Sequence, residues 1–399
     1  MRVGVDASNL RSGGTTTHLI EVLRAANPTE HGIDEVILWA GSAVLSRIEV
    51  RDWLRKVSDP RLEQAANPFT DRRQLHRACW QRFELPRLAV NARCDVLFVP
   101  GGMDNSGFHP LVTMSRNMLP FDRCEAARYG HSPARLRLLL LRFLQSRTFR
   151  RADGLIFLTD YARRTVSALA RIERPRTTVI PHGVSNMFAR PPREQRPIGE
   201  YSSSRPYRIL YVSTIDVYKH QWHVVDAMAR LRAEGFPLAL DLVGHAYGAG
   251  ARRLTRMLAQ LGATADFVHC LGAVPYEGLH ELYAAADLKV FASSCENMPN
   301  ILIEAMAAGL PIACSRRGPM PEVLGEAGLY FDPERPEEIA LAVRRLLNSP
   351  ALRAQKAALA FAQAQSYSWA SCARATFAFL AQTARLHAQH RSSARPVSA

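Results

Sequence analysis

The chain has 399 residues, 47% hydrophobic and 22% charged, so it is long enough for two or more folded domains and is unlike a disordered or collagen-like protein. Its formal charge of +15 indicates an anionic partner or an arginine-rich surface, and 29 basic against 18 acidic residues fall within the first 190. Seven cysteines without a C-x-x-C pair, and no run of about 18 apolar residues, argue against a disulfide framework, a zinc site and a membrane span.

Short aliphatic runs alternate with helical stretches along the chain, which is the pattern of parallel sheets crossed by helices. The predicted strands are 2–6, 36–40, 95–100, 111–115, 154–159 and 177–181 in the first half, and 207–214, 238–244, 266–271, 288–293, 311–315 and 328–332 in the second. A proline- and serine-rich stretch at 191–206 predicts a linker, and the small polar residues 389–399 predict a flexible tail. We therefore expect an α/β protein with two doubly wound, Rossmann-like domains, at 1–190 and 207–370, facing a cleft.

The first predicted strand is followed by Gly13 and Gly14 and then by threonines that favour a helix start. Glycines at this place allow the backbone to approach a ligand, and a helix N-terminus favours an anion. A plain turn explains the same residues, so both interpretations stay open.

Residues 131–151 predict a basic amphipathic helix. The segment has no acid and carries six arginines among aliphatic residues: Arg135, Arg137, Arg142, Arg147, Arg150 and Arg151. Such a helix can lie on an anionic membrane or contact nucleic-acid phosphates, and a helix that is merely solvated is the third interpretation. Because few aromatic side chains are present to stack on bases, the segment favours the membrane over nucleic acid.

The most informative stretch lies in the second half and predicts a strand, a loop and a helix. Pro299 suits the first helical position and Gly309 the position after the last, so the sequence predicts a helix at 299–308. Its first turn would direct the N–H groups of Asn300 and Ile301 toward the strand end, where an anion such as a diphosphate is favoured.

Glu304 is the single charged residue of this apolar helix, and ribose hydroxyls would satisfy its carboxylate; a solvent-exposed helix face is the alternative. With Glu296 it forms an E-x7-E pair, preceded by S-x-x-E and continued as E-A-M-A-A-G-L-P-I. The stretch resembles the retaining glycosyltransferases of the GT-B fold known as family 4, whose signature is such a pair. The resemblance implies a catalytic Glu296 beside the donor sugar, Glu304 on the ribose, and amides of Asn297 and Met298 on sugar and phosphate.

Lys219 is one of four lysines among 51 basic residues and follows a predicted strand. A compact ammonium suits a phosphate as a point charge, and the resemblance implies that Lys219 contacts the donor diphosphate and takes part in catalysis. It also puts Thr214 in the donor site, where the family has an arginine, and Val274 beside the base. The missing charge would then come from Arg316 or Arg317, or the diphosphate would be neutralised by Lys219 and amides alone.

On the acceptor side, the resemblance implies that Gly13 and Gly14 line both the donor phosphates and the acceptor, and that 371–388 forms a helix returning to the first domain. Many relatives place a histidine beside the reacting sugar where this chain has Arg116 and Asn117. We take Asn117 as the third catalytic candidate.

The resemblance implies a retaining hexosyltransferase, and the residues favour one that needs no metal. No D-x-D sequence occurs, and we expect neither a metal nor a cofactor beyond a nucleotide-sugar co-substrate. The hypothesis is transfer of a hexose, with mannose from GDP-mannose as one candidate, to a polysaccharide or lipid-linked glycan. Because the first residues show no secretory signal, we expect a cytoplasmic chain that contacts the inner face of the plasma membrane through 131–151.

Two other functions fit parts of the sequence. A nucleotide-sugar 2-epimerase would share the two-domain architecture, but the full run of residues around Glu296 favours the transferase. A basic, non-enzymatic nucleic-acid binder would explain the charge of +15, but the chain has no recognised nucleic-acid module.

Overall fold

The computed structural model describes residues 1–10, 14–59, 62, 72–173 and 176–393. The chain divides into two compact units. The first unit comprises Met1–Phe121, Leu136–Gly183 and the chain from Trp369 onward, and the second comprises Asp122–Arg135 and Val184–Ser368. The prediction had put residues 122–135 in the first domain, but they pack in the second unit.

The first unit contains a seven-stranded parallel sheet in the order β3-β2-β1-β4-β5-β6-β7. Its strands are β1 (Arg2–Asp6), β2 (Glu35–Ala40), β3 (Leu54–Ser58), β4 (Val96–Val99), β5 (Leu111–Met114), β6 (Gly154–Phe157) and β7 (Arg176–Val179). The inner strands are covered on both faces, which is why they consist of nearly continuous apolar residues. Strand β3 was not predicted, because it lies at the sheet edge and carries Arg55 and Lys56 among its five residues.

The helices of the first unit are α1 (Gly14–Arg24), α2 (Ser42–Leu45), α3 (Arg72–Asn91), most of α5 (Pro133–Arg151), α6 (Asp160–Ala170) and α14 (Trp369–Ser393). Helix α14 packs closely on β6: a Cβ at Gly154 would lie 2.8 Å from Cε1 of Phe379, so this glycine makes room for the ring. The helix continues five residues into the predicted tail, because Gln389 and Arg391 are good helix formers. The rest of that tail, 394–399, lies outside the described residues.

The second unit contains a six-stranded parallel sheet in the order β10-β9-β8-β11-β12-β13. Its strands are β8 (Tyr207–Val212), β9 (Leu238–Val243), β10 (Val268–Gly272), β11 (Leu288–Phe291), β12 (Ile312–Ser315) and β13 (Gly328–Phe331). Its helices are α4 (Arg123–Ala127), α7 (Gln221–Ala233), α8 (Gly248–Leu261), α9 (Leu279–Ala285), α10 (Asn300–Ala307), α11 (Met320–Leu324), α12 (Pro336–Leu347) and α13 (Pro350–Ala364). All six strands were predicted, to within two residues at each end.

The predicted linker 191–206 is an ordered part of the second unit. The buried guanidinium of Arg353 donates to the carbonyl of Leu346 (2.7 Å), to Oε1 of Gln195 (3.1 Å) and to the carbonyl of Arg196. The described helices include none that is both long and apolar enough to cross a membrane.

Candidate active site

The candidate site lies at the carboxyl edge of the second sheet, between β8 and β11. Strand β8 pairs with β9 on one side and with β11 on the other, so the order of the strands reverses at this point. Parallel sheets of this kind bind ligands in the crevice that opens outside the strand ends at such a reversal. The two loops that border it are 213–220, after β8, and 292–299, after β11.

Lys219 and Glu296 meet across this crevice. The Nζ of Lys219 donates to Oε1 of Glu296, and both side chains are largely buried. The ammonium also lies 5.0 Å and 5.6 Å from the ring centroids of Tyr218 and Phe291. The two strongest predicted catalytic residues are therefore brought together as an ion pair, held in a mostly apolar surrounding.

The two loops are joined to each other by hydrogen bonds. The backbone N–H of Ser294 donates to the carbonyl of Tyr218 (2.8 Å), and Oγ of Ser294 lies 2.9 Å from Nε2 of His220. The hydroxyl of Tyr211 donates to the carbonyl of Lys219, and His220 adopts a left-handed backbone with φ of 54°. These contacts fix the backbone on both sides of Lys219, which limits the positions its ammonium can take.

Helix α10 begins directly after the second loop. Pro299 precedes the helix rather than forming its first residue, and its carbonyl accepts the first helical hydrogen bonds, from Leu302 (3.0 Å) and Ile303 (3.4 Å). The side-chain Oδ1 of Asn300 is buried and has no hydrogen-bond partner among the described residues. Gly309 ends the helix with φ of 64°, as predicted for a residue after the last turn. The helix N-terminus thus faces the strand end, as a diphosphate site requires.

Glu304 lies inside the unit, with 4% of its surface exposed, and its Oε2 accepts a hydrogen bond from the hydroxyl of Tyr283 (3.1 Å). The same hydroxyl donates to the carbonyl of Ile301. Burial raises the pKa of Glu304 to about 7. The structure rules out the alternative of a solvent-exposed helix face for this residue.

Lys289 on β11 was not singled out by the sequence, yet it is a fully buried cation near Glu304. Its Nζ lies 5.7 Å and 5.3 Å from the ring centroids of Tyr211 and Tyr283 and has no hydrogen-bond partner among the described residues. Burial lowers its pKa to about 7, and the charge of Glu304 opposes that shift. A lysine in the middle of the run Leu-Lys-Val-Phe was the signal that could have identified it.

Four other candidates lie in the predicted region and differ in their exposure. Thr214 is exposed in the loop after β8, and its carbonyl accepts from Nε2 of Gln221 (2.9 Å). Val274 is half-buried after β10. Asn297 and Met298 are buried in the loop before α10.

Neither Arg316 nor Arg317 is unpaired. Arg316 pairs with Glu338, and Arg317 donates to Glu334 (2.6 Å) and to both carboxylate oxygens of Asp332 (3.0 Å each). Either arginine would have to break these contacts to supply the charge that is absent at Thr214. Lys219 is likewise paired, with Glu296, so both predicted explanations stay open.

The candidates of the first unit form no comparable cluster. Gly13 lies outside the described residues, and Gly14 is the first residue of α1, where its carbonyl accepts from Nη2 of Arg116 (3.0 Å). Asn117 is exposed, and its Oδ1 accepts the backbone N–H of Leu119 (3.1 Å). The side chain of Asn117 therefore caps a local turn, and it cannot replace an imidazole in proton transfer while it does so.

A ring cluster lies beside this turn, buried in the first unit. Nδ1 of His18 is 2.8 Å from Nδ1 of His182, and the ring of Trp369 packs against both. Burial, and then the charge of Arg116, lower the pKa of each histidine well below its usual value. Both rings are therefore neutral at physiological pH. Separately, the described residues contain no group of three or more His, Cys, Asp or Glu side chains that could hold a metal ion.

Comparison with known proteins supports a glycosyltransferase architecture. Residues 194–361 match the family model described as glycosyl transferases group 1. The chain is 31% identical over 196 residues to the O-antigen chain mannosyltransferase B of Escherichia coli, covering 48% of this chain and 50% of that protein. It is 29% identical over 248 residues to the MMP alpha-(1->4)-mannosyltransferase of Mycolicibacterium hassiacum, covering 60% and 57%. The chain thus spans about half the length of these relatives.

Solved structures show the fold over nearly the whole chain. Sucrose-phosphate synthase from Thermosynechococcus elongatus matches with a TM-score of 0.72 at 19% identity, over 98% of this chain and 100% of that one. HepE of Anabaena, in complex with UDP-glucose, matches with a TM-score of 0.67 at 18% identity, over 98% and 100%. The protein therefore has the two-sheet α/β fold of the GT-B glycosyltransferases, and its second unit carries the segment that matches the glycosyl transferases group 1.

Proposed function

We propose that the protein is a retaining hexosyltransferase that uses a nucleotide sugar, with mannose from GDP-mannose as the preferred candidate, and a glycan or lipid-linked acceptor. The observation that carries the proposal is the ion pair between Lys219 and Glu296. It lies in the crevice between β8 and β11, beside the N-terminus of α10. The two relatives described above are both named as mannosyltransferases, which favours mannose.

In this proposal each part of the site has one task. The ammonium of Lys219 and the N-terminus of α10 stabilise the charge that develops on the departing diphosphate. Glu296 accepts hydrogen bonds from hydroxyls of the donor sugar and orients Lys219, while Glu304 accepts hydrogen bonds from the ribose. The acceptor hydroxyl passes its proton to the departing phosphate, so neither a protein nucleophile nor a metal is needed.

Nucleotide binding tests the proposal. Glu304→Gln keeps the size of the side chain and an oxygen for Tyr283, but it removes the negative charge that strengthens the hydrogen bonds accepted from the ribose hydroxyls. We expect the Kd for GDP to rise about tenfold or more, because a hydrogen bond to a charged group contributes about 1.5–3 kcal/mol. Isothermal titration calorimetry measures this, with Glu277→Gln, an exposed glutamate of the same unit, as control.

The transfer itself is tested with a panel of GDP-, UDP-, ADP- and dTDP-sugars. If no member of the panel is hydrolysed or transferred, and Glu304→Gln binds GDP like the unchanged protein, the proposal is wrong. A product inverted at C2 without any acceptor would identify a 2-epimerase instead.

We further propose that α5 contacts an anionic membrane surface. Its outer face exposes Leu136 (69%), Leu140 (55%) and Phe143 (61%). Exposed arginines, among them Arg147 and Arg150, follow on the last turns of the same helix. Apolar side chains flanked by cations are what an interfacial helix presents to anionic lipids.

Vesicle co-sedimentation tests the membrane contact. The triple variant Leu136→Ser, Leu140→Ser, Phe143→Ser should keep its melting temperature and lose most of its binding to phosphatidylglycerol vesicles, since these side chains are already exposed. Leu341→Ser, an exposed leucine of the second unit, is the control. Equal binding of both variants, or binding to RNA that outcompetes the vesicles, would contradict the proposal.

A further inference from the structure

The guanidinium of Arg116 has an unusual environment in the first unit. Arg116 follows β5 at the carboxyl edge of the sheet, and its Nη2 donates to the carbonyl of Gly14, the first residue of α1 (3.0 Å). Its Nε and Nη1 are shielded from solvent and have no hydrogen-bond partner among the described residues. Burial lowers the pKa of the guanidinium only to about 10, so it remains cationic at neutral pH.

Among the described residues, the group that offsets this charge is the thiol of Cys372, but burial raises the pKa of that thiol to about 12, so it is uncharged at neutral pH. Helix α1 has no acidic residue in its first turn, and its N-terminus carries the positive end of the helix dipole. The neighbouring rings of His18 and His182 are neutral, because burial and then Arg116 lower their pKa values. A cation therefore lies against a second source of positive potential, an arrangement that costs free energy unless an anion joins it.

Two further polar atoms at this place lack partners. Thr16, in the first turn of α1, is fully buried, and its Oγ1 has no hydrogen-bond partner among the described residues; the same holds for Nε2 of His18. Buried polar groups without partners are rare in proteins, because each costs about 1–3 kcal/mol. The cluster of Arg116, Thr16 and His18 thus has unused hydrogen-bonding capacity next to an uncompensated positive charge.

We propose that this cluster, at the N-terminus of α1, binds an anionic group of the acceptor, either a phosphate or a carboxylate. The inference rests on the proposed function, because it names the substrate class that the transferase would glycosylate. Guanidinium N–H groups bind oxyanions through short, charge-assisted hydrogen bonds, and the helix N-terminus adds to the attraction. The second unit already offers Lys219 and α10 to the donor diphosphate, so we assign Arg116 to the other substrate.

A purely structural role for Arg116 makes the opposite prediction about stability. If the guanidinium served only to hold the carbonyl of Gly14, its removal would destabilise the first unit. If it is a ligand site, Arg116→Met should raise the melting temperature of the ligand-free protein, because a buried, uncompensated cation is replaced by an apolar chain of similar length.

The first experiment measures melting temperature in inorganic phosphate, methyl phosphate and acetate at constant ionic strength. We expect the unchanged protein to gain at least about 2 °C in the preferred anion, and Arg116→Met to start higher and to gain nothing. Arg163→Met, an exposed arginine paired with Asp160, is the control for loss of charge. Lys219→Met removes the cation of the donor site and should keep the gain.

The anions also separate the two acceptor classes: a response to both phosphates identifies a phosphorylated acceptor, and a response to acetate a carboxylated one. A melting temperature that falls in Arg116→Met, or an anion response that this variant retains, would overturn the proposal. So would a gain that disappears in Lys219→Met, because the ion would then occupy the donor site.

The second experiment separates acceptor from donor. GDP affinity in Arg116→Met should stay within about twofold of that of the unchanged protein, whereas a tenfold loss would mean that Arg116 contacts the donor diphosphate and that the acceptor assignment is wrong. The proposed function fails by a different result, an inactive sugar-nucleotide panel together with normal GDP binding in Glu304→Gln. That result leaves the anion response of the first unit to be judged by itself.

Discussion

Glu304 and Lys289 are two buried groups of opposite charge whose pKa values both move to about 7. Burial penalises the charged form of each, and the charge of the other partly restores it. The sequence singled out Glu304 because it is the one charged residue of an apolar helix. Lys289 could not be singled out in the same way, because its charge state depends on the side chains that surround it in the folded sheet and not on the local sequence pattern.

Nucleotide affinity should depend on pH through Glu304. As pH falls through about 7, the carboxylate becomes protonated and loses acceptor capacity for the ribose, so we expect the Kd for GDP to increase from pH 8 to pH 6. Titration calorimetry across this range measures the effect. Glu304→Gln should give a nearly flat profile, and a profile equal to that of the unchanged protein would show that another group titrates.

Because of Lys289, the free energy of unfolding should increase as the pH rises from neutral to alkaline. Its pKa is about 7 when folded and about 10.4 in an unfolded chain, so the unfolded state binds more protons between these values. The free energy of unfolding then rises with pH across this window, by at most about 1.4 kcal/mol per pH unit. In Lys289→Met this contribution to the rise should disappear.

Denaturant unfolding between pH 7 and pH 10 measures the slope. Lys356→Met serves as control, because Lys356 donates from the protein surface to the carbonyl of Glu326. If Lys289→Met retains the full slope, Lys289 is not the group responsible.

At the scale of elements, the backbone position of the loop after β8 depends on a glycine that follows the neighbouring strand, β9. Gly244 follows β9 with φ of 143°, and a Cβ there would lie 2.1 Å from the carbonyl oxygen of Ser213. Any side chain at position 244 would therefore displace the backbone of Ser213, where the loop that carries Lys219 begins.

Gly244→Ala should therefore lower both stability and nucleotide affinity. We expect a loss of about 2 kcal/mol or more in the free energy of unfolding, and a Kd for GDP raised several-fold. Gly272→Ala, also at positive φ but with nothing within 4 Å of its Cβ, should be destabilised less and should bind GDP normally. Unfolding curves and calorimetry of the two variants decide the matter.

Elements were predicted well where local chemistry determines them. Pro299 and Gly309 bracket α10 to within a residue of the prediction, because proline restricts a helix start and glycine takes the left-handed position after its end. Strand β3 was missed because an edge strand has no need of a continuous apolar sequence. Asn117 was a weak candidate because its role depends on a turn hydrogen bond that the motif does not specify.

At the scale of the molecule, the alternation of strands and helices predicted two parallel-sheet units, and the structure shows them. Their composition could not be predicted in full. Residues 122–135 join the second unit through contacts distant in sequence: Arg128 donates to Glu334 (2.6 and 2.9 Å), and Tyr129 donates to Asp216 (3.1 Å). Such pairings leave no periodic signal in the chain.

The first unit takes its chain from three separate stretches, the last of which begins only at Trp369. During synthesis, therefore, its sheet is translated early but lacks α14, which covers Gly154 on β6, until residues 369–393 have been made. The second unit is complete once Ser368 has left the exit tunnel. Domains usually fold in the order in which they are synthesised, beginning at the N-terminus. We expect the opposite order here: the second unit folds first, and the first unit depends on holdase chaperones until α14 has been made.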